Sequence, residues 1–135
     1  MTDVALTEER SGLITGARWA LASLALLFTI GAFAQFFLVG LGMFDDGARW
    51  SDHATLGHII GMLPWAMWIP AVLGKTGRGM IVATVLLFIL FEAQYAFINV
   101  DSTIANAFHP LNGSLLLVLG AWITQRSFCL TRHKG

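Results

Sequence analysis

The sequence predicts an all-α integral membrane protein built as a four-helix up-down bundle, and two observations lead to this fold class. The 135-residue chain is 56% hydrophobic but only 12% charged, about half of the roughly 25% that soluble domains carry. Its apolar residues gather in four runs, each close to the roughly 20 residues that cross a hydrocarbon core of about 30 Å. Because lipid offers no partner to backbone N–H and C=O groups, these runs are expected to be helices in a lipid bilayer.

The predicted helices follow the four apolar runs. We place them at about residues 17–41, 52–73, 79–99 and 106–125. The fourth run is the shortest and spans the bilayer only if the turn before it is counted. The first run is too long for a signal peptide and follows an acidic, polar leader, MTDVALTEER. Residues 1–16 are therefore expected to form a short cytoplasmic tail, disordered or interfacial, and residues 126–135 a second cytoplasmic tail.

The connections between the runs are short, which makes consecutive helices antiparallel neighbours. The sequence shows no internal repeat and no domain linker, so one domain is expected. The single cysteine, Cys129, excludes an internal disulfide and a CxxC motif. The sequence has no phosphate-binding loop and no catalytic serine or cysteine arrangement. It also has no nucleic-acid footprint, so nucleic acid is not an expected partner.

The positive charges predict the orientation of the helices. Lysine and arginine lie before helix one, between helices two and three, and after helix four, at Arg10, Arg18, Lys75, Arg78, Arg126, Arg132 and Lys134. The other two loops hold only Arg49, together with four aspartates. The positive-inside rule therefore places both termini and the middle loop in the cytoplasm and the other two loops outside.

Polar side chains gather at one end of the predicted bundle. The outer halves of the four helices contain Gln35, His53, His58, Glu92, Gln94, Tyr95, Asn99, His109, Asn112 and Ser114. The inner halves contain almost nothing polar. Because ionisable groups inside a bilayer are costly and mark functional sites, the sequence predicts one polar site close to the outer face.

His53 and His109 are the candidate ligands of this site. Ser51 or Asp52 suits the N-cap of helix two, and Pro110 suits the first turn of helix four. Both histidines then lie about one turn inside the outer boundary, on parallel helices at diagonal corners of the bundle. Two imidazoles at equal depth on diagonal helices can face each other across a central ligand, and haem b fits that description.

Small residues beside the histidines favour a flat macrocycle. Gly57 lies one turn below His53, and Gly113 lies one turn from His109. Gly61 continues the row of small residues on helix two, and Gly31 and Ala34 offer a similar flat surface on helix one. The apolar edge of the macrocycle is expected to meet Phe33, Phe36, Phe37 and Phe97.

His58 and Glu92 are assigned a supporting role. His58 follows His53 by five residues, about 140° around a helix of 3.6 residues per turn, so the two do not share a face. A buried carboxylate needs a cation or a metal ion, and His58 is the expected partner of Glu92 because both lie deeper than His53. His58 is also the reserve ligand if helix two is rotated from this placement.

Three alternatives stay open from the residues alone. A bare zinc, copper or iron ion could be held by His53, His109, His58 and Glu92. A quinone could use Gln35, Tyr95 and a histidine as head-group partners. The polar cluster could also only fix helix packing through interhelical hydrogen bonds, each contributing about 0.6 kcal/mol. In that case the chain would be a structural or accessory subunit of a larger membrane complex or a homo-oligomer.

Two short motifs resemble a known family. FHPLNGSLLLVLG and HATLG are similar to the histidine-containing helices of di-haem transmembrane cytochromes of the b561 type, which hold a haem on each membrane side in a four-helix core. This chain lacks histidines in its inner half. The resemblance therefore implies only an outer haem, with His53 and His109 as ligands and Gly57 and Gly113 as spacers. One haem on one side could exchange electrons with a quinone or an outer partner protein, but could not carry them across the membrane.

A longer arrangement also resembles a known family. AQFFLVGLGMF, followed by the tryptophan and histidine of helix two and by FHPLNG, is similar to a family of small, uncharacterised bacterial four-helix membrane proteins. This resemblance covers most of the chain. It implies a multi-pass protein of the bacterial inner (plasma) membrane but no activity, so whether the protein is an enzyme stays open.

Overall fold

The chain folds almost entirely into helices, and the computed structural model describes residues 2–132, with side chains from residue 6 onward. The helices are α1 (Thr2–Phe44), α2 (Trp50–Ala66), α3 (Trp68–Leu73), α4 (Arg78–Asn99) and α5 (Thr103–Arg132), with a 3-10 turn at Gly47–Arg49 before α2. These described residues contain no strand.

Four segments have the length and apolarity to cross a membrane, namely Leu6–Phe44, Gly47–Leu73, Arg78–Asn99 and Thr103–Arg132. The second of them joins the 3-10 turn, α2 and α3. Large apolar side chains are exposed along all four, as expected where lipid surrounds the helices. The predicted all-α, four-helix membrane bundle is confirmed.

The helices pack in a ring. α1 lies between α2 and α5, and α4 lies between α5 and the α2–α3 segment. Within residues 2–132, the backbones of α1 and α4 do not approach each other closely, and neither do those of α2 and α5. α2 and α5 therefore occupy diagonal corners, as the sequence predicted for helices two and four.

The first and last helices are longer than predicted. α1 begins at Thr2, so the leader expected as a disordered or interfacial tail is helical from that residue onward. α5 continues to Arg132 and includes most of the expected C-terminal tail, of which residues 133–135 lie outside the described part of the chain. An apolar run marks only the part of a helix that lies in hydrocarbon, which is why both helices extend past it.

The start of α2 differs from the prediction. Asp46 Oδ1 accepts a hydrogen bond from the Ala48 N–H at 2.9 Å and opens the 3-10 turn that leads into the helix. The Ser51 hydroxyl instead donates to the Ala48 carbonyl at 2.8 Å, and the Asp52 carboxylate lies 3.5 Å from the Arg49 guanidinium. The predicted N-cap at Ser51 or Asp52 is therefore wrong, because the chain begins to turn five residues earlier.

Pro110 lies inside α5 and not in its first turn. The helix begins at Thr103, where the Ser102 hydroxyl accepts a hydrogen bond from the Ala105 N–H at 3.3 Å. His109 consequently lies nearly two turns inside its helix, whereas His53 lies about one turn inside α2. The prediction of a helix start next to Pro110 is wrong because an isolated proline also occurs within membrane helices, where neighbouring groups compensate for the lost backbone bond.

The second membrane span is interrupted at Met67. Pro70 has no N–H to offer the carbonyl four residues earlier, and α2 ends there. Trp65 and Trp68 pack around Phe88 of α4, with ring centroids 4.3 and 5.1 Å from the Phe88 ring. The span thus bends near its prolines and fills the bend with aromatic side chains.

The inner half of the bundle is closely packed. Its fully buried side chains include Leu21, Phe28, Met67, Leu87 and Ile123. It also holds more hydroxyl groups than the sequence analysis recognised. Thr84 and Ser127 are buried, and the hydroxyls of Thr29 and Thr124 lie 3.0 Å apart between α1 and α5. The expectation that this half contains almost nothing polar is therefore wrong.

The buried positions recur with the same spacing on all four spans. On α1 and α4 they recur in the same steps: Leu21, Ala25, Phe28 and Ala32 correspond to Met80, Thr84, Leu87 and Phe91. On α2–α3 and α5 the corresponding sets are Ile60, Pro64, Met67 and Ala71, and Leu116, Gly120, Ile123 and Ser127. Steps of four, three and four residues are those of one core-facing side of a helix, so each of the four spans presents one side to the centre of the bundle.

Candidate functional site

A cavity of about 370 Å³ occupies the outer half of the bundle. Its volume lies within the range of about 300–1,000 Å³ that is typical of small-molecule and cofactor sites. All four spans contribute to its wall, which includes Ala32, Gln35, Phe36, His53, Gly57, His58, Phe91, Gln94, Tyr95, His109, Gly113 and Leu116. Most of these side chains are apolar, so the few polar groups decide what the cavity can hold.

The rings of His53 and His109 meet inside this cavity. Their centroids lie 6.2 Å apart, and their planes are inclined at 66°. The two histidines come from α2 and α5, whose backbones do not approach each other. The structure therefore brings these two predicted site residues together across the centre of the bundle.

His109 is held by hydrogen bonding to α4. Its Nδ1 lies 3.2 Å from the Gln94 carbonyl oxygen. Because a carbonyl can only accept, this contact places the proton on Nδ1 and leaves Nε2 as the free electron-pair donor. Metal-ligating histidines commonly have their second nitrogen fixed in this way.

Asn112 fixes the same part of α4. It is buried, and its amide nitrogen donates to the Leu90 carbonyl at 2.7 Å and to the Gln94 Oε1 at 2.9 Å. A Cβ on Gly113 would lie 3.3 Å from the Gln94 Nε2, so this glycine leaves space for the glutamine amide. The backbone and the side chain of Gln94 are thus both tied to α5.

His53 is less completely bonded. The His53 ring lies within hydrogen-bonding reach of the Gln35 backbone on α1, but its buried Nδ1 has no hydrogen-bond partner, and neither has the buried Gln35 Oε1. A Cβ on Gly57 would lie 3.1 Å from the Gln35 Nε2, which repeats the glycine–glutamine contact of the other hairpin. Trp50 packs edge-on against the His53 ring, with centroids 5.9 Å apart.

His58 and Glu92 do not form the expected pair. The His58 Nδ1 lies 2.7 Å from the Ala54 carbonyl of its own helix, and its ring packs on Tyr95 with centroids 5.6 Å apart. Glu92 is exposed on α4 and does not line the cavity. The pairing prediction is wrong because it used depth alone, whereas the Glu92 side chain is exposed outside the cavity.

The prediction that four phenylalanines surround the apolar edge of the macrocycle is also partly wrong. Phe36 lines the cavity, but Phe33 and Phe37 are exposed on the outside of α1. Phe97 packs against Phe108, with centroids 5.9 Å apart. The aromatic residues of the wall that sequence analysis missed are Phe28, Trp50 and Phe91.

Only some of the small residues that were predicted to lie beside the macrocycle face the cavity. Gly57 and Gly113 line the cavity. A Cβ on Gly31 would overlap the Ile60 side chain, and one on Gly61 would overlap the Phe91 ring. Gly31 and Gly61 therefore serve close helix packing and do not extend a surface for a macrocycle.

Comparison with known proteins gives a family but no activity. A family of unknown function, DUF6220, matches residues 35–103, just over half of the chain. This segment contains Gln35, His53, Gly57 and Gln94 and ends before His109. No curated protein and no solved structure matches the chain.

Proposed function

We propose that this chain, which belongs to the family of unknown function DUF6220, is a b-type haem protein of the membrane with an electron-transfer role. His53 and His109 would hold its iron. The observation that carries this proposal is the 6.2 Å between their ring centroids. Two imidazoles bound opposite each other on one metal ion, with metal–nitrogen distances of about 2 Å, also have their centroids about 6 Å apart.

The number of donors favours haem over a bare metal ion. A zinc, copper or iron ion needs three or four protein ligands, and residues 2–132 contain no group of three or more histidine, cysteine, aspartate or glutamate side chains that could hold one. Haem brings four nitrogens of its own and needs only the two axial imidazoles. His53 and His109 therefore make a complete donor set for haem and an incomplete one for a bare ion.

The surroundings of the two histidines also fit this group. The cavity wall is mostly apolar, and Gly57 and Gly113 stand one turn from the proposed ligands. The His109 Nδ1 is already bonded to the Gln94 carbonyl, as expected for an imidazole that uses Nε2 toward iron. The buried His53 Nδ1 and Gln35 Oε1 lack partners within the chain, and such atoms are costly unless a bound group changes their surroundings. Bound haem would supply reversible one-electron transfer.

The distribution of charge supports an orientation for this site. Basic residues flank the end of the bundle opposite the cavity, so the positive-inside rule places both termini in the cytoplasm and the cavity near the outer face. In a bacterial inner membrane, a single haem there would exchange electrons with a quinone in the lipid or with a protein outside. The likeness of the His53 and His109 motifs to b561-type cytochromes supports the same role.

A visible spectrum of the purified protein tests the proposal. The protein is expressed with ample haem supply, purified in detergent and reduced with dithionite. A Soret band and a sharp α-band are expected, with about one haem per chain by pyridine haemochrome assay. His53→Ala and His109→Ala are each expected to remove the sharp α-band, whereas the matched control His58→Ala retains it, since His58 is bonded to its own helix. Colourless wild-type protein would overturn the proposal.

One observation favours a second function, a structural or accessory subunit of a membrane complex or homo-oligomer. The His109–Gln94 and Asn112–Leu90 hydrogen bonds join α5 to α4 without any ligand. If the polar cluster only fixes this packing, His109→Ala lowers the stability of a colourless protein, and a stoichiometric partner or second copy copurifies with the wild type. A haem spectrum that depends on both histidines would contradict this alternative.

A further inference from the structure

The two hairpins present the same three-residue unit to the cavity. In the α1–α2 hairpin, His53 faces the cavity, and Gly57 makes room for the Gln35 amide. In the α4–α5 hairpin, His109, Gly113 and Gln94 take the corresponding places. Each histidine lies next to the backbone of the glutamine on the neighbouring helix. The two hairpins therefore line the cavity with matching residue types.

The repeat is broken at one position. Three residues after His109 stands Asn112, whose amide binds the Leu90 carbonyl and the Gln94 Oε1. Three residues after His53 stands Leu56, an apolar residue packed against the core. Leu56 can donate no hydrogen bond, and the Gln35 Oε1 that corresponds to the bonded atom of Gln94 has no partner.

The two imidazoles are consequently held to different degrees. The His109 Nδ1 has a hydrogen bond at 3.2 Å to a glutamine that Asn112 fixes in turn. The His53 ring also reaches the backbone of a glutamine, Gln35, but the Oε1 of that glutamine has no partner that would fix it. A histidine whose hydrogen-bond partner is itself fixed is oriented more firmly, so His109 is the better held of the two donors.

We infer that His53 would be the more readily released of the two haem-binding histidines and that a small neutral molecule could replace it, with Asn112 acting as a positioning residue that retains His109. This inference rests on the proposed haem site. In the exchange, His53 would give up its bond to the bound group, and the lone pair of the incoming molecule would take its place. No electron or proton is transferred, and the freed imidazole stays neutral within the cavity.

Carbon monoxide is the probe for this exchange, and two reciprocal variants test its cause. Leu56→Asn adds the missing amide beside Gln35, and Asn112→Leu removes it beside Gln94. Leu56→Ala is the matched control, because it deletes the leucine side chain without adding a donor. The binding of carbon monoxide to the dithionite-reduced protein is followed by the shift of the Soret band during titration.

The wild type is expected to bind carbon monoxide, and Leu56→Asn is expected to bind it about three- to tenfold more weakly, as one interhelical hydrogen bond allows. Leu56→Ala should bind it as the wild type does or more tightly. Asn112→Leu should bind it more tightly, since His109 is then also free to leave. If Asn112→Leu does not fold, the comparison of Leu56→Asn with Leu56→Ala decides alone.

The failure of this inference differs from the failure of the proposed function. Wild-type protein without a Soret band contradicts the haem site itself. Protein with the bis-histidine spectrum that binds no carbon monoxide contradicts the exchangeable ligand. Equal affinities in Leu56→Asn and Leu56→Ala contradict the role assigned to the amide at this position.

Discussion

The inner and outer halves of the bundle are built from the same four spans but packed differently. In the inner half, Leu21, Leu87 and Ile123 are fully buried, and at its border with the cavity Gly120 lets the Phe28 ring lie directly on α5. The outer half encloses the cavity of about 370 Å³ and the His53–His109 pair. Since lipid is as apolar as leucine, helices associate through close packing and hydrogen bonds. The inner half therefore supplies most of the stability, and the outer half is less closely packed because it encloses the cavity.

The largest stability effect is expected from Phe28→Ala. The ring is fully buried and packs edge-on against Phe91, with centroids 6.1 Å apart. Loss of the ring should lower the free energy of unfolding by about 2–3 kcal/mol. This is less than the roughly 3–5 kcal/mol found in a water-soluble core, because an apolar side chain gains less by moving from lipid into the core than from water into the core. Unfolding by SDS in mixed micelles measures the change.

Phe36→Ala is the matched control for this prediction. Both rings reach the cavity, but Phe36 lies two turns further out on α1 and is 41% exposed, so its loss removes fewer packing contacts and should cost less than half as much. Equal losses for the two variants would show that the halves do not differ in packing.

A smaller effect is expected from Gly120→Ala in the inner half. The added Cβ would lie 2.9 Å from the Phe28 Cδ1 and 3.1 Å from the Thr29 Oγ1, and overpacking of this kind costs about 1–3 kcal/mol. The Cβ added by Gly113→Ala, two turns earlier on α5, would lie 3.3 Å from the end of the Gln94 side chain and 3.8 Å from the Phe36 Cζ. The free energy of unfolding of Gly113→Ala should be close to that of the wild type. A larger loss of stability in Gly113→Ala than in Gly120→Ala would contradict the closer packing of the inner half.

The smallest effect is expected from Thr124→Val. The Thr124 hydroxyl donates to the Gly120 carbonyl at 2.8 Å and lies 3.0 Å from the Thr29 hydroxyl across the α1–α5 contact. Interhelical hydrogen bonds in membranes contribute about 0.6 kcal/mol on average, so the free energy of unfolding should fall by about that amount. Thr131→Val, which removes only a hydroxyl bonded to the Phe128 carbonyl within α5, should show none of it.

The sequence predicted the spans and the meeting of His53 with His109 because both follow from strong signals. Apolar run length defines a membrane helix, and short loops fix the ring order that places α2 diagonal to α5. Helix ends were predicted less well, since Pro110 looked like a first-turn residue and lies within α5.

The facing of individual residues could not be read from the sequence. In a membrane helix the lipid-facing and core-facing sides are both apolar, so Phe33 and Phe37 look the same as the buried Phe28. Glu92 was assigned to the site by depth, although it is exposed. The Asn112–Gln94 contact joins residues far apart in sequence, and the corresponding pair of Leu56 with Gln35 carries no chemical signal at all. These features follow from helix rotation, which tertiary packing sets.

The electron paramagnetic resonance spectrum of the oxidised protein tests the central claim most directly, because it reports the axial ligands of the iron. The wild type should show low-spin ferric haem with two imidazole ligands. His53→Ala and His109→Ala should each convert that signal to high-spin haem or lose the haem, and His58→Ala should leave the low-spin signal in place. A low-spin bis-imidazole signal that survives in either His53→Ala or His109→Ala, or a wild type without any haem signal, would contradict the assignment of these two histidines as a ligand pair.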